Sequence, residues 1–200
     1  MPIIGITGGI ASGKSHFCQQ LLTRVDADKF DADACAHDLL AHDGEVRRRV
    51  TEEVHADSYG RNGQVNRRLL RDTIYRDPVK KSRLEGILHP RIRELWTKQG
   101  RAASRVGRIF VVDLPLLFET RSESFFDQIL TIACARATQM KRLIEGRDLS
   151  EGIAEQIMAS QMPWEEKIIH SHHVVWNDGS LQILNTQADI YARKLHDRFG

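Results

Sequence analysis

Cysteine is scarce in this chain. The three thiols, Cys18, Cys35 and Cys134, are odd in number and widely spaced. No CxxC and no Cys/His pair has zinc-finger spacing, which excludes a disulfide framework and leaves reduced thiols in a cytoplasmic protein as the expectation. An excess of charge of one sign is also missing. With 29 Lys+Arg against 27 Asp+Glu the net charge is +2, so no nucleic-acid partner is expected. No apolar run approaches the roughly 20 residues that cross a bilayer. The apolar opening, Met1 to Ile6, is short, lacks a basic flank and runs into glycines, so neither a signal peptide nor a membrane partner is expected. Repeats and low-complexity segments are absent. What remains is globular composition, 41% hydrophobic and 28% charged. A chain of this length buries enough surface to need no disulfide or metal staple. It suits one or two domains, or one domain carrying an insertion.

The hydrophobic pattern predicts an α/β fold with a central parallel sheet. Ile3–Ile6 reads as a buried strand. A glycine-rich turn follows, then a helix over Ser15–Thr23 with Phe17, Leu21 and Leu22 at helical spacing. Lys29-Phe30 is a weak second strand at best. Residues 34–100 are rich in charge and helix formers, with apolar faces such as Leu84/Ile87/Leu88/Ile92/Leu95, and read as a helical insertion. Ile109–Asp113 is the clearest interior strand, and Gln128–Ala133 another. Residues 137–170 are helical again, with Pro163 starting a helix. His173–Trp176 is a last short strand. A capped turn, Asn177–Ser180, leads into a closing helix over Leu181–Phe199.

Gly8-Gly9-Ile10-Ala11-Ser12-Gly13-Lys14-Ser15 fits G-x-x-x-x-G-K-[ST] in the required context, strand before and helix after. Glycines let the backbone wrap a phosphate, and the helix N-terminus adds partial positive charge. Lys14 suits the β- and γ-phosphates and Ser15 a Mg²⁺ ion. Asp57-Ser58-Tyr59-Gly60 fits the D-x-x-G of a GTPase, but no N-K-x-D exists to read guanine, so a small-molecule kinase fits best. Such a kinase can use a carboxylate within hydrogen-bond reach of the acceptor hydroxyl. Of two Asp-Ala-Asp triplets, Asp26–Asp28 reads as a surface turn. Asp31–Asp33 follows Phe30 at a strand end, which favours Asp33 as base with Asp31 beside it. Asp113 reads either as a Walker-B-type carboxylate in the Mg²⁺ shell or as a strand-end turn residue. Arginines cluster at Arg67/Arg68/Arg71, Arg91/Arg93 and Arg142/Arg147, and periodicity does not choose among them.

These residues resemble the dephospho-coenzyme A kinase family along the whole chain. Thr7–Ser15 is similar to its opening TGGIGSGKS, and Asp31-Ala32-Asp33 with Ala36–Leu40 to its DAD segment and following helix. Asn66-Arg67 with Leu70, and Leu84–Ile92 with its central His89-Pro90, resemble the acceptor-binding region. Val112–Glu119 resembles the PLLFE segment, Gln139–Leu143 and Gln161 the lid, and Asn177-Asp178-Gly179 the closing turn. The resemblance implies transfer of the ATP γ-phosphoryl group to the ribose 3′-hydroxyl of dephospho-CoA. The alternatives are another P-loop nucleoside or nucleotide kinase, or a non-catalytic ATP-binding regulator. It implies a P-loop NTPase fold with the core at 1–33, 101–136 and 171–200, a helical acceptor-binding insertion at 34–100 and a helical lid at 137–170. It assigns catalysis to Asp33, Lys14 and Arg142, and ATP binding to Gly8, Gly9, Ala11, Ser12, Gly13, Lys14, Ser15 and His16. Thr7, Asp31, Arg67, His89 and Pro90 fall to the acceptor, and Ser15 and Asp113 to Mg²⁺. No obligate protein partner is implied.

Three departures stand out. Ala11 replaces a usual loop glycine. Gly146 stands where a second lid arginine is common, with Arg147 one residue later, and is expected to loosen the lid helix. Ser171-His172 replaces Ala-Asp and creates His170-Ser171-His172-His173, expected to be a loop entering a strand rather than a metal site, since adjacent strand residues face opposite ways. Trp96, Trp164 and Trp176 are expected to pack rather than stack on bases.

Overall fold

The computed structural model describes residues 1–199. The chain forms two compact units, Met1–Phe30 together with the chain from Gly100 onward, and Asp31–Gln99.

The first unit is built on a five-stranded sheet in the order β2-β3-β1-β4-β5. The strands are β1 (Ile3–Gly8), β2 (Ala27–Asp31), β3 (Ile109–Asp113), β4 (Gln128–Ala133) and β5 (His173–Trp176). β1 pairs in parallel with β3 on one side and β4 on the other, and β4 with β5. Every residue of β3 and β4 is buried, which is why both read as continuous apolar runs. On one face, Ile4, Ile6, Val111, Leu130 and Ile132 meet Phe17 and Leu21 of α1 (Lys14–Leu22) and Leu184, Ala188 and Leu195 of α9 (Leu181–Phe199). On β1, a Cβ at Gly5 would lie 2.6 Å from Leu117 Cδ1 and 3.0 Å from the Phe126 ring, so glycine lets these side chains close onto the strand.

The second strand is longer than the sequence suggests. It takes in Ala27 and Asp28, which the sequence reading placed in a surface turn. It is an edge strand with only Phe30 buried, so its Asp-Lys-Asp pattern hides its pairing. The Arg108 guanidinium bonds Asp26 and lies 2.9 Å from Asp28 Oδ1, holding the carboxylates at the strand's start.

The second unit is helical: α2 (Ala32–His42), α3 (Gly44–Glu53), α4 (Arg67–Arg76) and most of α5 (Pro78–Arg105). Side chains start three of these helices. Asp31 accepts from Ala34 N at 3.0 Å, Asp43 from Val46 N at 2.9 Å and Asn66 from Leu69 N at 3.2 Å. Val46, Val50, Leu70, Leu84, Ile87, Ile92 and Trp96 are buried. The D-x-x-G match is a turn, with Ser58 Oγ donating to His55 O at 2.7 Å and Tyr59 bridging Val65. Residues 136–169 form α6 (Arg136–Arg147), α7 (Glu151–Ala159) and α8 (Trp164–Ile169). α6 includes Gly146 and ends one residue beyond it, at Arg147. Among the described residues, no helix is long and apolar enough to cross a membrane.

Candidate active site

β1 delivers the chain into the glycine loop, and α1 leaves it at Lys14. Gly13 caps α1 in the left-handed region, φ 93°, where a Cβ would strike the Asn177 carboxamide, so glycine is required twice over. Ala11 also has positive φ, 58°, without being glycine. A left-handed L-residue costs about 1–2 kcal/mol. Ala11→Gly is therefore expected to stabilise the fold by about 0.5–1 kcal/mol, the relief less glycine's extra chain entropy. Thermal unfolding checks this, and a midpoint that does not rise means the loop stores no strain at Ala11.

Distant side chains hold the loop. Gln139 Nε2 donates to Ile10 O at 2.9 Å, and Ile10 N donates to Gln161 Oε1 at 2.9 Å. Asn177 Nδ2 donates to Ser12 O at 2.7 Å. Arg142 reaches Ala11 O with Nη1 at 3.2 Å and Asn177 O with Nη2 at 2.9 Å. Three consecutive loop residues are thus fixed from α6, from Gln161 and from the closing turn, and such tethering pre-organises a phosphate site. His16 shares a 2.8 Å hydrogen bond with Asn185 Oδ1, tying α1 to α9.

Lys14 Nζ forms an ion pair with Asp113 Oδ1, and Lys29 Nζ lies 3.7 Å from Oδ2. Asp113, 3% exposed, is therefore a buried carboxylate at the last position of β3, between two lysines. Burial, then the nearby Asp113 carboxylate, pushes the Cys18 thiol up to about 12. Burial pushes Cys134 up to about 11, and raises half-buried Cys35 as well, so none is poised as a nucleophile. A hydroxyl at Ser15 and a carboxylate at Asp113 are hard oxygen donors of the kind Mg²⁺ takes. Ser12 Oγ is buried with no partner among the described residues, and fits a site made to receive a polar group.

Two further features escaped the sequence reading. Lys29 is the first, hidden in the weakly read β2. The second is Lys167 of α8, fully buried though it lies in Trp164-Glu165-Glu166-Lys167, which looks like a solvated helix face. Its ammonium donates to Pro115 O at 2.8 Å and pairs with Glu119 Oε1 at 2.9 Å. Burial pulls its pKa down while Glu119 opposes the shift. Thr7, expected at the acceptor, is buried and donates from Oγ1 to the same Pro115 O at 2.9 Å.

In the helical unit, Asp31 is the α2 cap and Asp33 lies in the first helical turn. β2 ends at Asp31, so the triplet does lie at a strand end as expected, and Asp33 is carried by the first turn of the helix that follows directly. A carboxylate in a first turn is favoured by the helix dipole. Arg67, Arg68 and Arg71 of α4 line a cleft of about 420 Å³ with His37, while Leu40, Val65, Leu70 and Leu84 give it apolar walls. His89 and Pro90 lie on α5 and are not part of that lining. His89 is half-buried, and desolvation lowers its pKa.

The histidine run goes separate ways. The His170 ring lies against Phe118 at 5.9 Å, His172 Nδ1 accepts from Ile129 N at 3.1 Å, and His173 meets Lys194 and the Tyr191 ring. Among the described residues no group of His, Cys, Asp or Glu converges to hold a metal ion. Trp96 is buried, while Trp164 and Trp176 meet edge to face at 4.8 Å.

The sequence profile of the family described as Dephospho-CoA kinase matches residues 2–182. A Dephospho-CoA kinase of Bacillus cereus is 32% identical over 94% of this chain and 94% of its own length. One from Bordetella pertussis is 35% identical over 98% of this chain and 90% of its own. The crystal structure of TT1252 from Thermus thermophilus superposes with a TM-score of 0.76 at 30% identity, covering 97% of each chain. A Dephospho-CoA kinase from Campylobacter jejuni shares the fold, with a TM-score of 0.66 at 20% identity and 97% coverage of each chain. A phosphate loop tethered from three sides, a buried carboxylate beside its lysine and likeness along nearly the whole length agree: the chain belongs to the dephospho-CoA kinase family.

Proposed function

We propose that the protein transfers the γ-phosphoryl group of ATP to the ribose 3′-hydroxyl of dephospho-CoA, yielding ADP and CoA. The observation that carries this reading is the Lys14–Asp113 pair at a tethered phosphate loop in a chain of this family. Gly8, Gly9, Ala11, Ser12, Gly13, Lys14, Ser15 and His16 would bind the ATP phosphates through backbone N–H groups and the Lys14 ammonium. Ser15 and Asp113 would hold Mg²⁺, which neutralises charge on the β- and γ-oxygens. Lys14 would leave Asp113 for the phosphates, and Lys29 would remain as counter-charge to the buried carboxylate.

Asp33 would accept the proton of the 3′-hydroxyl as its oxygen bonds to the γ-phosphorus and the bond to the β-bridging oxygen breaks. Arg142 would stabilise charge on the transferring group. The arginine-lined cleft suits the diphosphate of the acceptor, with Arg67 its first contact and the apolar walls receiving uncharged parts of the molecule. Asp31 would serve by setting the helix that carries Asp33, and Thr7, His89 and Pro90 by shaping the acceptor's surroundings. Residues 1–33, 101–136 and 171–200 would act as the nucleotide core, 34–100 as the acceptor-binding part and 137–170 as the lid.

A coupled ADP-release assay with Mg-ATP, run with and without dephospho-CoA, tests the reading. The expected result is acceptor-dependent ADP and a product one phosphate heavier, phosphorylated at the 3′ position. ATP binding without turnover, or turnover only with a nucleoside, would overturn it.

A further inference from the structure

Lys167 is a fully buried cation that the proposed chemistry does not use. An ammonium leaves water only where acceptors replace it. Here they are the Pro115 carbonyl at 2.8 Å and Glu119, whose Oε1 and Oε2 lie 2.9 and 3.3 Å away. Each acceptor is shared. The Pro115 carbonyl also takes the Thr7 hydroxyl at 2.9 Å, and Glu119 Oε1 also takes Met162 N at 2.8 Å. The Lys167 carbonyl accepts from Ser171 Oγ at 2.7 Å, which in turn is 2.6 Å from Thr131 Oγ1 of β4.

One side chain therefore joins α8, the turn after β3 and the last turn-ward residues of β1. The sequence neighbours of those contacts are functional in the proposed reading. Asp113 directly precedes Leu114-Pro115, and Gly8 directly follows Thr7. Leu114 N still bonds Ile6 O of β1 at 2.9 Å, one residue past the end of β3. Two residues beyond Asp113 the Thr7 hydroxyl and the Lys167 ammonium both hold the Pro115 carbonyl, and so fix the far end of the corner that begins at Asp113. Stability alone is a poor account of this arrangement. A buried ion pair is often replaceable by apolar groups of similar volume without loss of stability.

We propose that Lys167 is a positioning residue for phosphoryl transfer, orienting the corner Asp113-Leu114-Pro115 so that the Asp113 carboxylate stays aimed at the metal-bound phosphates. The inference rests on the proposed Mg²⁺ role of Asp113. Partners that orient a metal-binding group typically change metal affinity or activity by about 10–100-fold when removed.

The test compares Lys167→Met, Glu119→Gln, the double variant Lys167→Met/Glu119→Gln and, as reference, Asp113→Asn. Each is measured for thermal midpoint, kcat, KM for dephospho-CoA and the Mg²⁺ concentration giving half-maximal rate. Lys167→Met is expected to lower the midpoint, to lower kcat about 10–100-fold and to raise the Mg²⁺ requirement by a similar order, with KM for dephospho-CoA within about twofold. Glu119→Gln keeps the ammonium on the Pro115 carbonyl and is expected to keep the wild-type Mg²⁺ requirement. The double variant removes the stranded carboxylate, so its midpoint recovers while its Mg²⁺ requirement stays high. It carries the test if Lys167→Met fails to fold. Recovery of rate and Mg²⁺ dependence together with the midpoint would overturn the inference and leave Lys167 a neutralising charge. An Asp113→Asn enzyme with unchanged Mg²⁺ dependence would sink the metal role of Asp113 itself, and the inference with it.

Discussion

Asp33→Asn is expected to lower kcat about 1,000-fold while leaving ATP affinity within about twofold, because a positioned general base contributes about 10²–10⁴ in rate. The substitution is nearly isosteric. It leaves the Asp31 bond to Ala34 N intact, so α2 keeps its cap and its first turn. A carboxamide cannot take the hydroxyl proton, and the loss therefore falls on the chemical step. Single-turnover kinetics with pre-bound ATP separates this from binding. If turnover is unchanged, Asp33 is not the base, and the acidic first turn of α2 serves only its helix.

The second large effect is expected at Arg142. Arg142→Ala should lower kcat about 1,000-fold, in the range of arginines that neutralise a transferring phosphoryl group, whereas Arg147→Ala should stay within about threefold of wild type. The difference comes from placement. Arg142 reaches the carbonyls of Ala11 and Asn177, so its guanidinium is already at the phosphate loop. Arg147 is the last residue of α6, five residues on and about 140° round the helix from Arg142. Arg142→Lys divides the arginine's two duties, since lysine keeps the charge but loses the planar fork that spans two carbonyls. Turnover rates of the three variants, measured side by side at saturating Mg-ATP, decide the matter. If Arg147→Ala is the slow enzyme, the lid assignment carried over from the family is wrong for this chain.

Local signals in the sequence account for much of the fold. β3, β4, β5 and α9 have the bounds their patterns predict, because each carries its own signal: unbroken β-branched runs, or a capped turn before a long apolar periodicity. β2 was poorly legible because Asp28, Lys29 and Asp31 are not strand-like, and pairing at the sheet edge overrides that preference. The phosphate loop is legible for the opposite reason. Its glycines, Lys14 and Ser15 are contiguous, and their conformation follows from their own chemistry. What the loop leans on is not contiguous. Gln139, Gln161, Arg142 and Asn177 can be matched to a family pattern, but nothing in the pattern says that they bond the carbonyls and N–H of Ile10, Ala11 and Ser12. Asp113 ends its strand beside Leu114-Pro115, and nothing local in the sequence shows that Lys14, 99 positions earlier, pairs with it. Lys29 and Lys167 sit in charged surroundings along the chain, and their acid partners, Asp113 and Glu119, become neighbours only after folding.

Asn177 holds Ser12 across 165 positions of the chain, and β1 lies between two strands made much later, β3 and β4. During synthesis the glycine loop therefore leaves the ribosome long before the distant side chains that tether it. Parallel pairing across such separations forms slowly. An emerging chain has the phosphate motif early but gains a finished binding loop only when the Asn177 turn arrives, so nucleotide cannot act as an early template for folding and can only reward a chain that has already reached that turn.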